Sequence, residues 1–307
     1  MLSVVIPAYN EEEMIALAAF EISDVLKSNG IEYELIFVDD GSTDGTWTGI
    51  SCEAKNSPHI RGLRFSRNFG KEAAIFAGLK SAKGDCVAVM DCDLQHPPKT
   101  LIAMYNMWED GFEVVEGVKS SRGKESFLYK MSAKLFYSAI SAATKVDMNS
   151  ASDFKLLGRR AVDALIEMPE RGAFFRALSS WIGFRTVSVP FEVAERARGE
   201  SKWSTWKLMK YALTNIASFT SAPMQIVWVI GVLFFIGALV LGVQSLYMKF
   251  SGKALGGFTT VIIIELIIGA ATMLSLGIIG SYIARIYEEI KCRPRYIVSE
   301  TAASDDD

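Results

Sequence analysis

Two aspartates one residue apart, Asp91 and Asp93, close a short apolar run, Val87 to Met90, just before Pro97 and Pro98. The run reads as a buried parallel strand, and the prolines stop regular structure after it. Both carboxylates would then stand at the carboxyl edge of a sheet, where open α/β folds bind ligands. At a turning strand end they can converge on one cation shared with a diphosphate. Mg²⁺ or Mn²⁺ suits that setting, because either ion keeps one or two protein carboxylates and takes its other ligands from phosphate and water. Taken alone, the same pair also describes a solvated strand-to-loop junction.

The elements that would position this pair follow a regular rhythm. Leu2 to Pro7 reads as a strand, and Met14, Leu17, Ala18, Ile22, Val25 and Leu26 carry the apolar spacing of a helix. A second strand ends at Asp39 and Asp40, a third spans Arg61 to Phe65, and a helix over Lys71 to Ser81 precedes the central strand. Strand alternating with helix predicts an α/β fold with a doubly wound, mostly parallel sheet. Right-handed crossovers would bring Pro7 to Glu11, Asp39/Asp40 and Asp91/Asp93 into one cleft. No strand-to-helix turn carries GxGxxG or a Walker A sequence, so a dinucleotide or P-loop site has no support. An acidic cleft accommodates a nucleotide diphosphate when a metal bridges the two. Asp40, at the second strand end, is the candidate to accept hydrogen bonds from a base or ribose, and Pro7, Tyr9, Glu11 and Asp91 complete the donor-binding set.

Four segments, VVIPAYNEE (4–12), VDDGSTD (38–44), SRNFGKEAAIFAGL (66–79) and MDCDLQHPP (90–98), stand in one order and spacing. Together they resemble the polyprenyl-phosphate glycosyltransferases of glycosyltransferase family 2, the group that contains dolichyl-phosphate mannose synthase and bactoprenol glucosyltransferases. The resemblance covers essentially the whole chain. It implies a GT-A catalytic domain that transfers a sugar, with inversion, from a nucleotide sugar to a polyprenyl phosphate. Overall similarity to the bacterial branch implies UDP-glucose or UDP-N-acetylglucosamine as donor and undecaprenyl phosphate as acceptor. Asp153, in Ser-Ala-Ser-Asp-Phe, matches a family segment that faces the acceptor; a helix or turn cap is its structural alternative. Arg196 and Lys202 match a family loop that contacts phosphates, and Lys119 and Arg122 lie in a second basic loop. Asp153, Asp93 and Gln95 form the catalytic set, although Asp153 would orient a phosphate acceptor more than deprotonate it. Gln95 would support metal or sugar, or simply shape the turn.

The last third of the chain explains a hydrophobic content of 50%, high for a wholly soluble protein. No charged residue occurs between Tyr211 and Met248. Met224 to Tyr247 and Thr259 to Ile283 are each long enough to cross about 30 Å of hydrocarbon. Lys202, Lys207 and Lys210 precede the pair, and Arg285, Lys291, Arg293 and Arg295 follow it, so both termini are expected in the cytoplasm. The expected divisions are a catalytic domain over 1–202, an amphipathic interfacial segment over 203–222, a two-helix transmembrane hairpin over 223–284 and a C-terminal tail over 285–307. Leu2 to Ile6 is too short, and lacks the basic leader, to read as a signal peptide. Four unpatterned cysteines suit a reducing compartment, Cys92 reads as packing, and two isolated histidines make a zinc site improbable.

A net charge of −3 without a basic stripe argues against nucleic acid. A bacterial cytoplasmic membrane enzyme of cell-envelope glycosylation would have a flippase and a downstream glycosyltransferase as partners. The Gly277/Ser281 and Gly280/Ala284 spacings admit a homo-oligomer. Glu265 reads either as a functional intramembrane acid or as a helix-packing group. Gln225-Ile-Val-Trp228 is not the acceptor motif of processive polysaccharide synthases. The alternative function is a non-catalytic membrane adaptor that binds nucleotide sugar or recruits a flippase.

Overall fold

The computed structural model describes residues 1–120, 152–168, 174–192, 222–251 and 258–304. Arg122, Arg196, Lys202 and the segment 203–221 lie outside the described residues. The chain divides into two units, Met1–Ala212 with Pro294–Asp307, and Leu213–Arg293.

In the first unit, β1 (Leu2–Ala8), β2 (Tyr33–Asp39), β3 (Ile60–Phe65) and β4 (Cys86–Val89) pair in parallel in the order β4-β1-β2-β3. Helices α1 (Ile15–Ser28), α2 (Thr46–Asn56) and α3 (Lys71–Ser81) alternate with them. The alternation of side chains along β1 explains why both faces need cover. Leu2, Val4, Ile6 and Ala8 join Ile15, Ala18 and Ile22 of α1, Ile50 of α2, and Leu101 and Met104 of α4 (Lys99–Glu109) in one core cluster. Val5 points to the opposite face, against Gly78 of α3. All four residues of β4 are fully buried, as a strand covered on both faces requires.

Beyond β4 the sheet is mixed. Strand β6 (Lys155–Gly158) runs antiparallel to both β4 and β5 (Val114–Lys119), and β7 (Thr186–Phe191) lies parallel to β5. Helices α5 (Arg159–Glu167) and α6 (Phe175–Trp181) fall between β6 and β7 in the chain. At the other edge, β8 (Val298–Ala302) pairs antiparallel with β3. Residues 294–304, read from sequence as tail, therefore contribute the eighth strand, in the order β7-β5-β6-β4-β1-β2-β3-β8.

The second unit holds α7 (Ala222–Phe250) and α8 (Phe258–Ile290), of 29 and 33 residues. At 1.5 Å per residue they run about 44 and about 50 Å. Leu233, Phe235, Leu239 and Val243 of α7, and Met273, Leu274 and Ile283 of α8, are exposed. Among the described residues one stretch, Ile267–Ile290, is long and apolar enough to cross a membrane, and Val229–Gln244 is a shorter apolar stretch. Both expected helices form, and among the described residues one of them holds a stretch with the length and composition of a span.

Candidate active site

The carboxyl ends of β1 and β2 are laced together by their loops. Asn10, at φ 54°, donates its N–H to Ser42 Oγ at 2.9 Å and accepts the Thr43 N–H on its own Oδ1 at 2.9 Å. The Glu11 N–H reaches Thr46 Oγ1 at 2.9 Å, and Glu12 Oε2 accepts the Gly45 N–H at 2.7 Å. Gly41 turns the chain at φ +67°, where an added Cβ would lie 2.4 Å from the Arg67 backbone. Pro7 is half-buried beside this lacing, and Tyr9 is exposed at 43%.

Asp40 is buried, and its carboxylate accepts the Phe69 N–H at 2.6 Å and the Gly70 N–H at 2.9 Å. Burial pushes its pKa up, these two N–H groups oppose the rise, and the neighbouring Asp39 adds to it. Besides its place in the expected nucleotide cleft, Asp40 therefore fixes the loop that delivers Lys71 at the start of α3.

Asp91 and Asp93 leave β4 with the buried Cys92 between them. Burial raises the Cys92 thiol well above its ordinary range, so it packs as a neutral group. Leu94 adopts φ 55°, a strained conformation for a branched side chain, and Asp93 Oδ1 accepts the Gln95 N–H at 3.1 Å. His96 turns inward. Its ring stacks on Phe154 at 4.7 Å and meets the edge of Phe191 at 5.4 Å. Burial lowers its basicity, so the imidazole is held neutral. Lys119, the exposed last residue of β5, pairs in register with Phe191 at this end of the sheet.

One ammonium joins the expected metal pair to Asp153. Lys71 Nζ lies 2.6 Å from Asp91 Oδ1 and 3.0 Å from Asp153 Oδ2. Arg176 of α6 grips the same Asp153 with two nitrogens, Nε to Oδ1 at 3.1 Å and Nη2 to Oδ2 at 2.9 Å. Burial alone would raise the Asp153 carboxyl, but the charges and hydrogen bonds of Lys71 and Arg176 hold it far below the usual carboxylate range. Asp153 is thus held as an anion between two cations. Beneath it, the fully buried Lys155 pairs with Glu116 of β5 and donates to Ser180 Oγ of α6 at 3.1 Å. That buried pair ties α6, and with it Arg176, to the sheet.

The fold therefore brings Asp91 and Asp153 together on Lys71, keeps Asp93 and Gln95 in the turn that follows Asp91, and sets Asp40 under the loop leading to Lys71. Sequence reasoning missed Lys71, Glu72 and Arg176. Lys71 did leave a signal: a cation at a helix N-terminus opposes the helix dipole and needs a partner elsewhere. Arg176 left none. Among the described residues no three His, Cys, Asp or Glu side chains converge as a metal cage. Two hard oxygen donors, one already drawing a cation to 2.6 Å, fit a magnesium- or manganese-type ion that takes its remaining ligands from a substrate.

Residues 3–165 match the model of the family described as glycosyl transferase family 2. The bactoprenol glucosyl transferase of Shigella phage SfII is 34% identical over 309 residues, 98% of this chain and 98% of the relative. A prophage bactoprenol glucosyl transferase homolog of Escherichia coli (strain K12) is 35% identical over 306 residues, covering 97% and 98%. The crystal structure of glucosyl-3-phosphoglycerate synthase from Mycobacterium tuberculosis in complex with Mn²⁺ and UDP-glucose is similar in fold. Its TM-score is 0.50 at 22% identity, over 71% of this chain and 77% of that one. With its GT-A sheet and its carboxylates at the strand ends, the chain belongs to glycosyltransferase family 2 and is a glycosyltransferase.

Proposed function

We propose that the enzyme transfers a hexose, with UDP-glucose the first donor to test and UDP-N-acetylglucosamine the second, to undecaprenyl phosphate at the cytoplasmic face of a bacterial membrane. The observation that carries this reading is the Asp91–Lys71–Asp153 bridge, in which one ammonium contacts Asp91, proposed here for the metal, and Asp153, proposed here for the acceptor side. The names of the relatives support a bactoprenol acceptor, and the exposed apolar flanks of α7 and α8 support a two-helix membrane anchor.

A Mg²⁺ or Mn²⁺ ion on Asp91 and Asp93 would supply neutralisation of the departing nucleoside diphosphate. Pro7, Tyr9, Glu11 and Asp40 line the nucleotide side, with Asp40 also stiffening the loop into α3. A phosphate monoester is largely dianionic near neutral pH, so the acceptor needs little deprotonation. That matches Asp153, which its two cations keep ionised. Asp153 positions Lys71 and Arg176, while Gln95 shapes the turn that presents Asp93. Lys119, Arg122, Arg196 and Lys202 are proposed to meet the acceptor phosphate, arginine by paired hydrogen bonds and lysine as a point charge. A flippase and a downstream transferase would consume the product.

Detergent-purified protein, given a panel of labelled nucleotide sugars, undecaprenyl phosphate and Mg²⁺ or Mn²⁺, tests the reading. Lipid-linked label should appear from one donor, vanish with EDTA and fall about 10²–10³-fold in Asp91→Asn. Metal-dependent nucleotide binding without lipid product from any donor would remove the polyprenyl acceptor.

A further inference from the structure

Lys71 is shared between the two halves of the site. Its ammonium touches Asp91, a metal candidate, and Asp153, which Arg176 already matches with a two-point ion pair. Lys71 starts α3, where the helix dipole disfavours a cation, so these two carboxylates are what hold it there. Its side chain keeps 40% of its surface exposed, against 13% for Asp153. It is therefore the member of the set that can turn toward a ligand.

Like charges at salt-bridge distance repel, and one carboxylate oxygen does not serve an ammonium and a divalent ion equally well. With a divalent cation on Asp91, Lys71 loses its anion there. Asp153 remains matched by Arg176, so the lysine's charge becomes surplus 3.0 Å from Asp153, the carboxylate proposed above for the acceptor side. Surplus positive charge at that point is a seat for a phosphate.

We infer that Lys71 is a hand-over residue: it holds Asp91 until the metal-bound donor arrives, then passes its charge to the phosphate monoester of the acceptor. The hand-over presupposes the phosphate acceptor proposed above, and it makes acceptor binding dependent on prior donor binding. It adds to the site a phosphate-binding lysine that acts as a charge coupled to the metal.

The experiment uses the full chain in detergent, with farnesyl phosphate as the acceptor probe and Mn²⁺ with UDP as the donor-side probe. Free Mn²⁺ is counted by its electron paramagnetic resonance signal, and farnesyl phosphate binding is measured with and without Mn²⁺ and UDP. The wild type should bind farnesyl phosphate about tenfold more tightly once Mn²⁺ and UDP are present. Lys71→Met should lose that enhancement while binding Mn²⁺ as tightly as the wild type or more tightly, since a competing cation is gone. Lys71→Arg, which keeps the charge, should retain most of the enhancement. A Lys71→Met protein that keeps the full enhancement, or one that loses Mn²⁺ binding, would overturn the hand-over while leaving the acceptor reading intact. A wild type that binds Mn²⁺ and UDP but never farnesyl phosphate would instead overturn the acceptor reading, and the hand-over with it.

Discussion

Glu72 follows Lys71 in the first turn of α3 and accepts the Phe175 N–H at 2.8 Å on Oε2. Burial pushes its carboxyl up, the Asp153 charge pushes it further, and the result is an acid that titrates at about 7. The unfolded chain ionises the same group near 4.5. A folded-state value above the unfolded one means that the folded protein holds this proton more tightly. Its stabilising contribution is complete below the unfolded value and is lost as pH rises through about 7. Glu72→Gln keeps an oxygen for the Phe175 N–H and removes the charge. The variant should match the wild type near pH 4.5 and exceed it at pH 8 by about 1–3 kcal/mol, since each tenfold change in proton affinity is worth about 1.4 kcal/mol. Thermal unfolding midpoints at the two pH values, without nucleotide or metal, measure the difference. Equal midpoints at both would show that Glu72 ionises as an ordinary carboxylate.

Helix α3 carries Lys71 and Glu72, and its seat on β1 sets where they reach. Gly78 faces Val5, and a Cβ added there would stand 2.2 Å from Val5 Cγ1. A mid-helix glycine costs about 1 kcal/mol in propensity, so its value here is the close approach of helix to sheet. Gly78→Ala should reverse the usual benefit of alanine and destabilise by about 1–3 kcal/mol through overpacking. The displaced helix should also lower turnover, read as a fall in both unfolding midpoint and rate. This helix was legible in the sequence with the bounds it has, Lys71 to Ser81, because a glycine precedes it and apolar residues fill it. The strand before Asp91 was legible for a similar reason, as an unbroken apolar run. Strand β6 was not, since its four residues begin with a lysine whose burial depends on Glu116, 39 positions away. Nor was β8, whose residues Val298 to Thr301 are exposed at a sheet edge and carry no apolar pattern. At the site, the carboxylates announced themselves at strand ends. The cations that govern Asp153 did not, because Lys71 and Arg176 lie 82 and 23 residues from it and meet it only in the fold.

At the scale of the molecule, the chain leaves the catalytic unit before α7 and returns to it after α8, at Pro294. The return is built into the sheet. Tyr296 stacks on Phe65 at 5.0 Å, the Ser66 N–H donates to the Ile297 carbonyl at 3.0 Å, and Arg295 donates to the Met168 carbonyl while lying 4.6 Å over the Phe76 ring. Glu300 of β8 accepts from Arg64 Nη1 at 2.7 Å and from Trp47 Nε1 at 2.9 Å. Two chain connections therefore join the apolar helices to the catalytic unit, and the second also covers the edge of β3. Removing residues 294–307 should expose that edge, which is a template for pairing with other chains. The loss of an aromatic pair worth about 1 kcal/mol and of several hydrogen bonds worth about 1 kcal/mol each should lower stability by about 2–5 kcal/mol. Glu300→Ala, which removes only the exposed polar contacts, should lower it by no more than about 1 kcal/mol. Unfolding midpoints of the three proteins in one detergent, with light scattering to follow association, separate the two contributions. A truncated protein with the wild-type midpoint and no association would show that β8 adds nothing to the sheet. A large fall confined to the truncation would mean that the catalytic unit is completed only after the apolar helices have been synthesised, because the strand that covers its β3 edge follows them in the chain.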